Sequence, residues 1–227
     1  MSRAPASQDA YAPGGTLDQG EVDRFAKLAS EWWDPGGKFR TLHQIGPARL
    51  GYLRDELVRH FQRPSSGMSS GMKPLTGLRL LDVGCGGGLI CEPLARLGGQ
   101  VTGLDPAIEN IEAARRHAAG QELAIEYRDA RVEDLEAEQA TFDAVICLEV
   151  VEHVPDVGAF LKSCAALVRP GGLMLLSTIN RTVKAYLLAI VGAEYVLRWL
   201  PVGTHQWDRF VTPDELARHL TAAGLVP

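Results

Sequence analysis

Leu80-Leu81-Asp82-Val83 is a short apolar run that stops at three alternating glycines, Gly84, Gly86 and Gly88, and a helical pattern starts at once with Leu89. Glycine lets a backbone turn sharply and approach a ligand closely. The first N–H groups of the helix that follows have no partner within it and can face a polar ligand. A second apolar run, Val101-Thr102-Gly103-Leu104, ends on an acid, Asp105. A carboxylate there accepts hydrogen bonds from both ribose hydroxyls of a nucleoside. Strand, glycine turn, helix, strand and acid in this order describe a nucleoside-binding unit; the plainer alternative is a tight turn with no ligand. The G-x-G-x-G spacing is not the G-x-G-x-x-G of dinucleotide sites, which disfavours a nicotinamide oxidoreductase.

The remaining pattern predicts an α/β fold with a doubly wound, mostly parallel sheet preceded by N-terminal helices. Apolar residues at helical spacing run from Val22 to Trp33, with Asp18 as a cap and Pro35-Gly36-Gly37 as a stop. A second helix is expected from Pro47 to Phe61, and a flexible Ser/Gly/Met-rich loop from Arg63 to Pro74. Strands are predicted at Leu78–Val83, Gln100–Leu104, Leu123–Arg128, Phe142–Cys147 and Leu173–Thr178. Helices are predicted at Leu89–Leu97, Ile108–Ala119 and Val157–Leu167, with only a short turn between the third and fourth strands. Such alternation buries a parallel sheet between helical layers and puts a ligand at the carboxyl ends of the strands. Thr212-Pro213-Asp214-Glu215 reads as a helix start, with Thr as cap, Pro in the first turn and acids toward the positive dipole end. The chain then stops at Leu225-Val226-Pro227, where a further strand is expected to begin, so the last strands of such a sheet are expected to be missing.

Residues 1–20 read as a disordered tail and 21–227 as one domain carrying a helical insertion over 181–205. The chain has 227 residues, 46% hydrophobic and 22% charged, enough for one sizeable core. A net charge of −5 argues against a general nucleic-acid partner. Cys85, Cys91, Cys147 and Cys164 form no C-x-x-C pair and read as reduced thiols of a cytosolic core. Laid out at about 100° per residue, Val183, Tyr186, Ala189, Ile190, Ala193, Val196, Leu197 and Leu200 share a broad face, with Arg181, Lys184 and Arg198 opposite. That pattern suits a helix lying in a lipid interface, and equally a lid packed on the domain's own core.

The set LLDVGCGGG, GLD, FDAVICLEVVEHVPD and LVRPGGLMLLST resembles class I S-adenosylmethionine-dependent methyltransferases, a Rossmann-like fold. More specifically, ASEWWDPGGKFRTLHQIGPARLGYL, ICLEVVEHVPD and TINRTVKAYLLAIVGAEYVLRWLPVGTH resemble the ubiquinone-biosynthesis O-methyltransferase family, over about Phe25 to Gly224. The resemblance implies methylation of catechol-type hydroxyls on polyprenylated quinone precursors such as demethylubiquinol, with S-adenosylmethionine as cofactor. It further implies other proteins of that pathway as partners, an anionic membrane surface, and a place in the cytoplasm on the inner face of the bacterial plasma membrane. Carried over by motif, the resemblance implies that Arg49 binds the cofactor through its methionine carboxylate, that Gly84 lets the backbone approach it, that Asp105 holds the ribose, and that Leu148 lies beside it at the end of the fourth strand.

Glu149, Glu152 and His153 fall at i, i+3 and i+4, which share one face of a helical turn. Two carboxylates and an imidazole can hold a divalent cation such as Mg²⁺ with positions open for substrate, and the resemblance supports metal dependence. Such a cation would lower the pKa of a catechol hydroxyl, ordinarily near ~10. The alternatives are His153 as a general base without metal, or a surface turn whose acids are merely solvated. The rivals to a methyltransferase of quinone precursors are a non-catalytic nucleoside- or lipid-binding module and a methyltransferase for a different small phenolic acceptor.

Overall fold

The computed structural model describes residues 16–63, 73–182 and 207–227. Residues 1–15 of the tail expected over 1–20, most of the Ser/Gly/Met-rich loop and the amphipathic segment from Val183 onward lie outside the described residues; the rest of that stretch is placed, with Thr16 buried, Asp18 as a cap and Gln19 and Gly20 opening the first helix.

Five strands form one parallel sheet: β1 (Arg79–Val83), β2 (Gln100–Asp105), β3 (Glu126–Asp129), β4 (Phe142–Leu148) and β5 (Val168–Ser177), in the order β3-β2-β1-β4-β5. Successive side chains point to opposite faces of a strand, and both faces of this sheet are buried. Leu80, Ala144 and Ile146 join one apolar layer with Leu53, Leu57, Leu94, Ile111 and Tyr127. Leu81, Val145 and Cys147 join the other with Val132, Leu135, Phe160, Leu161 and Leu167. This two-sided burial explains why β1 and β4 read as continuous apolar runs rather than alternating ones.

Among the described residues the helices are α1 (Gln19–Ala26), α2 (Arg40–His60), α3 (Cys91–Arg96), α4 (Ile108–Gly120), α5 (Val132–Ala137), α6 (Val157–Ala166) and α7 (Pro213–Ala222). Asp18 caps α1, accepting from the backbone N–H groups of Gly20 and Glu21. Thr212 caps α7 in a reciprocal box with Glu215 and Pro213 in the first turn, as that sequence predicts.

Three local expectations need correction. The first helix ends at Ala26, and a 3₁₀ turn, Ala29–Glu31, carries Trp32 and Trp33 away from it. Those indoles find their hydrogen bonds elsewhere, at Asn110 and at the Gly87 carbonyl. The second helix begins at Arg40 and runs through Pro47. Tertiary contacts outweigh the backbone bond that proline forfeits: Leu42 packs on the Trp32–Phe39 cluster, and His43 Nε2 bonds the Trp32 carbonyl at 2.8 Å. The supposed turn between β3 and β4 is α5, which buries Val132 and Leu135 and is held at its start by Asp134 accepting from the Arg131 N–H.

Candidate active site

β1 has β2 on one side and β4 on the other, so the chain crosses to opposite sides of β1 and opens a crevice at the carboxyl ends of these strands. Gly84 follows β1, Asp105 closes β2, and Leu148 closes β4. Arg49, on α2, reaches the same edge by pairing with Glu149, with Nη2 2.5 Å from Oε1. The four residues assigned to the cofactor by motif therefore meet around one crevice.

Asp105 is 7% exposed. Its Oδ2 accepts from the Gly86 N–H at 2.9 Å; its Oδ1 accepts from the Ala107 N–H at 2.9 Å and from Asn110 Nδ2 at 3.1 Å. Burial raises the carboxyl above its ordinary range, and these three donors work against that rise. A carboxylate has about four lone-pair sites. With three filled while the Gly86 N–H stays in place, the acceptor capacity that Asp105 keeps for the ribose lies on Oδ2.

The glycines serve their protein neighbours as well as any ligand. Gly84 has φ +71°, and a Cβ there would lie 2.4 Å from Val150 Cγ2; Gly86 has φ +51°, and a Cβ would lie 2.3 Å from the Trp32 ring. Beside this loop is a cleft partly open to solvent, lined by Val83, Gly84, Leu104, Pro106, Ala130 and Val150 among others. An apolar slot beside a buried carboxylate and a close-approach backbone fits the adenosine of S-adenosylmethionine. Beneath the loop Asp82 is buried, and Cys91 Sγ donates to it at 3.1 Å. Burial pushes the Asp82 carboxyl up to about 7, against the Cys91 bond and with help from the Asp105 charge. Burial likewise pushes the Cys85 thiol up to about 11, so its role is packing rather than reactivity.

Glu149, Glu152 and His153 do not share a helical face. Glu149 has φ +55° and precedes the 3₁₀ turn Val151–His153, so the chain leaves β4 through a left-handed residue and sends the three side chains to different partners. Glu149 Oε1 accepts from Arg49 and, at 2.8 Å, from Ser177 Oγ. Glu152 is 4% exposed and accepts from Thr178 Oγ1 at 2.7 Å. Burial first and the Glu149 charge second push its carboxyl up to about 7, opposed by His153 and the Thr178 bond. His153 Nδ1 lies 2.7 Å from Glu21 Oε2, and its ring meets Phe25 edge-on at 5.2 Å. Among the described residues no three His, Cys, Asp or Glu side chains come together as a cation site. As placed, the trio does not fit a divalent metal. It fits a histidine oriented by a carboxylate, with Nε2 free of partners among the described residues.

Sequence reasoning passed over Glu21, Trp32 and Asn110 as site residues. The available signals were slight: an acid in the first turn of α1, a tryptophan pair, and an amide five residues beyond Asp105.

A family described as a methyltransferase domain matches residues 47–227. A ubiquinone biosynthesis O-methyltransferase of Nitrobacter winogradskyi is 55% identical over 214 residues, covering 94% of this chain and 80% of that protein. One of Bradyrhizobium diazoefficiens is 56% identical over 214 residues, covering 94% and 83%. Among solved structures, the magnesium protoporphyrin IX methyltransferase of Synechocystis with bound SAH superposes with a TM-score of 0.59 at 18% identity, covering 94% of this chain and 80% of that one. That likeness concerns the fold; the high identity over most of the length concerns the family. With its crevice at the β1–β4 switch and its buried acid closing β2, this chain belongs to the ubiquinone biosynthesis O-methyltransferase family of S-adenosylmethionine-dependent enzymes.

Proposed function

We propose that this chain methylates a phenolic hydroxyl of a polyprenylated catechol in ubiquinone biosynthesis. The observation that carries the reading is the pairing of two features at neighbouring strand ends: the buried Asp105 beside an apolar cleft, and His153 backed by Glu21 just past β4. S-adenosylmethionine, when bound, supplies a methyl group on a cationic sulfur that leaves as a neutral thioether. The protein's own residues bind, orient and move a proton. Asp105 accepts a ribose hydroxyl, Gly84 admits the cofactor backbone-close, and Leu148 walls the crevice. Arg49 holds the methionine carboxylate; because it now pairs with Glu149, it must share or exchange that partner when the cofactor enters. A phenol titrates near ~10, so its oxygen is a weak nucleophile at neutral pH. His153 Nε2 takes the hydroxyl proton as the oxygen–methyl bond forms, Glu21 steadies the resulting imidazolium, and the proton then passes to water.

Incubating the protein with methyl-labelled S-adenosylmethionine and short-chain demethylubiquinol should place label on an ether oxygen of the quinol. Cofactor binding without transfer to any catechol would instead support a binding module. Transfer to simple phenols but not to the quinol would support another acceptor class.

The acceptor's prenyl tail supports a further part of the proposal, docking on the inner face of the plasma membrane. Among the described residues no helix is long and apolar enough to cross a membrane, and the contact proposed is one made by a surface. The segment from Arg181 to Leu200 supplies it by sequence pattern. Each basic residue near an anionic leaflet contributes about 1 kcal/mol, and salt screens it. Charge reversal in Lys184→Glu with Arg198→Glu should weaken sedimentation with anionic liposomes by at least tenfold at low salt while leaving turnover of a short-chain acceptor near that of the parent. A parent protein that does not sediment with such liposomes leaves the segment as a lid.

A further inference from the structure

The N-terminal segment grips the cofactor loop through two indoles. Trp33 Nε1 donates to the Gly87 carbonyl at 2.9 Å. Trp32, 8% exposed, lays its ring against Gly86 and Gly87 so closely that a Cβ on either would fall within 2.3–2.4 Å of it. The Trp32 ring is itself stacked on Phe39. Its Nε1 donates to Asn110 Oδ1 at 2.8 Å, and Asn110 Nδ2 donates to Asp105 Oδ1 at 3.1 Å. Asn110 is 2% exposed, so water does not substitute for either partner.

The chemistry of this relay runs in one direction. An indole N–H can only donate, so it forces the amide oxygen of Asn110 to face Trp32; the amide NH₂ must then face Asp105. That NH₂ fills a lone pair on Oδ1. With the Ala107 N–H on the same oxygen and the Gly86 N–H on Oδ2, the one vacant acceptor site of Asp105 lies on Oδ2. We propose that Asn110, oriented by Trp32, is a cofactor-positioning residue: it fixes the Asp105 carboxylate so that Oδ2 presents its remaining lone pair to the ribose, and it thereby makes cofactor affinity depend on the N-terminal segment. The inference rests on the reading that Asp105 holds the ribose.

Calorimetry separates this role from a merely structural one, using S-adenosylhomocysteine and its 2′,3′-dideoxy analogue as probes. Hydrogen bonds to charged groups are the stronger kind, so Asn110→Leu should weaken S-adenosylhomocysteine about tenfold and change affinity for the dideoxy analogue by less than about twofold, since that ligand makes no ribose hydroxyl contact to lose. Trp32→Phe keeps most of the ring packing and removes only the N–H. It should show the same ligand-selective pattern at about threefold, and keeps the test decisive if Asn110→Leu folds poorly. The double variant should bind no more weakly than Asn110→Leu alone, because both act through one relay. Parent-like affinity for S-adenosylhomocysteine in both variants, or equal weakening of both ligands, overturns the inference. A parent that binds the two ligands equally well overturns the ribose role of Asp105, and the inference with it.

Discussion

Replacing His153 with alanine should lower methyl transfer by roughly 100- to 10,000-fold, the range that general bases contribute, while S-adenosylhomocysteine binds as tightly as in the parent. The split follows from the geometry. Asp105 and Gly84 lie at the ends of β2 and β1; the apolar cleft is also walled by Val150 and Val154, which flank His153, but the imidazole itself is not part of that wall and meets Glu21 and Phe25 instead. Removing the imidazole therefore spares the nucleoside site. Glu21→Gln should cost less than His153→Ala, since the amide still bonds Nδ1 but carries no charge to balance an imidazolium. Turnover measured in the presence of a chelator distinguishes the two roles His153 can play. Activity retained in chelator assigns the proton to the imidazole. Activity lost and restored by Mg²⁺ means that Glu149, Glu152 and His153 leave Arg49, Ser177, Thr178 and Glu21 to gather around a cation. Parent-like turnover of His153→Ala rules out both.

The parts of this site that could be read in sequence are those set by adjacent residues. The apolar run into Gly84, the three glycines and the acid closing β2 all lie within one strand–turn–helix–strand unit, where local chemistry decides the backbone. The capping of α7 by Thr212 and Glu215 was legible for the same reason. The grouping of Glu149, Glu152 and His153 was not. Their spacing defines a face only if the backbone is helical from the first residue, and the left-handed φ of Glu149 breaks that condition. The carboxylate that actually meets His153 comes from 132 residues away, a distance at which no periodicity carries information. α5 escaped notice because six residues bury only Val132 and Leu135, too few to display a period. Asn110 sat in plain view on α4, yet its meaning depends on an indole 78 residues distant that reaches back over the glycine loop.

Gly86→Ala should be the most damaging single-methyl change in this loop, lowering stability by about 2–4 kcal/mol through a left-handed backbone and an overpacked contact together. Gly86 has φ +51°, and the added Cβ would lie 2.3 Å from Trp32 Cζ2 and 2.4 Å from Cη2. The ring cannot retreat cheaply. The ring is stacked on Phe39, and its N–H is held by Asn110. If the loop moves instead, the Gly86 N–H leaves Asp105 and the cofactor site opens. Thermal unfolding should register a fall of roughly 5–15 °C for a domain of this size, and S-adenosylhomocysteine should bind more weakly in whatever fraction remains folded. Gly171→Ala is the matched control. That residue also has a left-handed φ, +72°, but the nearest atom to a Cβ there is 3.9 Å away. Only the backbone term applies, about 1–2 kcal/mol, with cofactor affinity unchanged. If the two variants lose the same stability, the packing of Trp32 on the loop contributes nothing, and the glycine at position 86 is required by its backbone conformation alone.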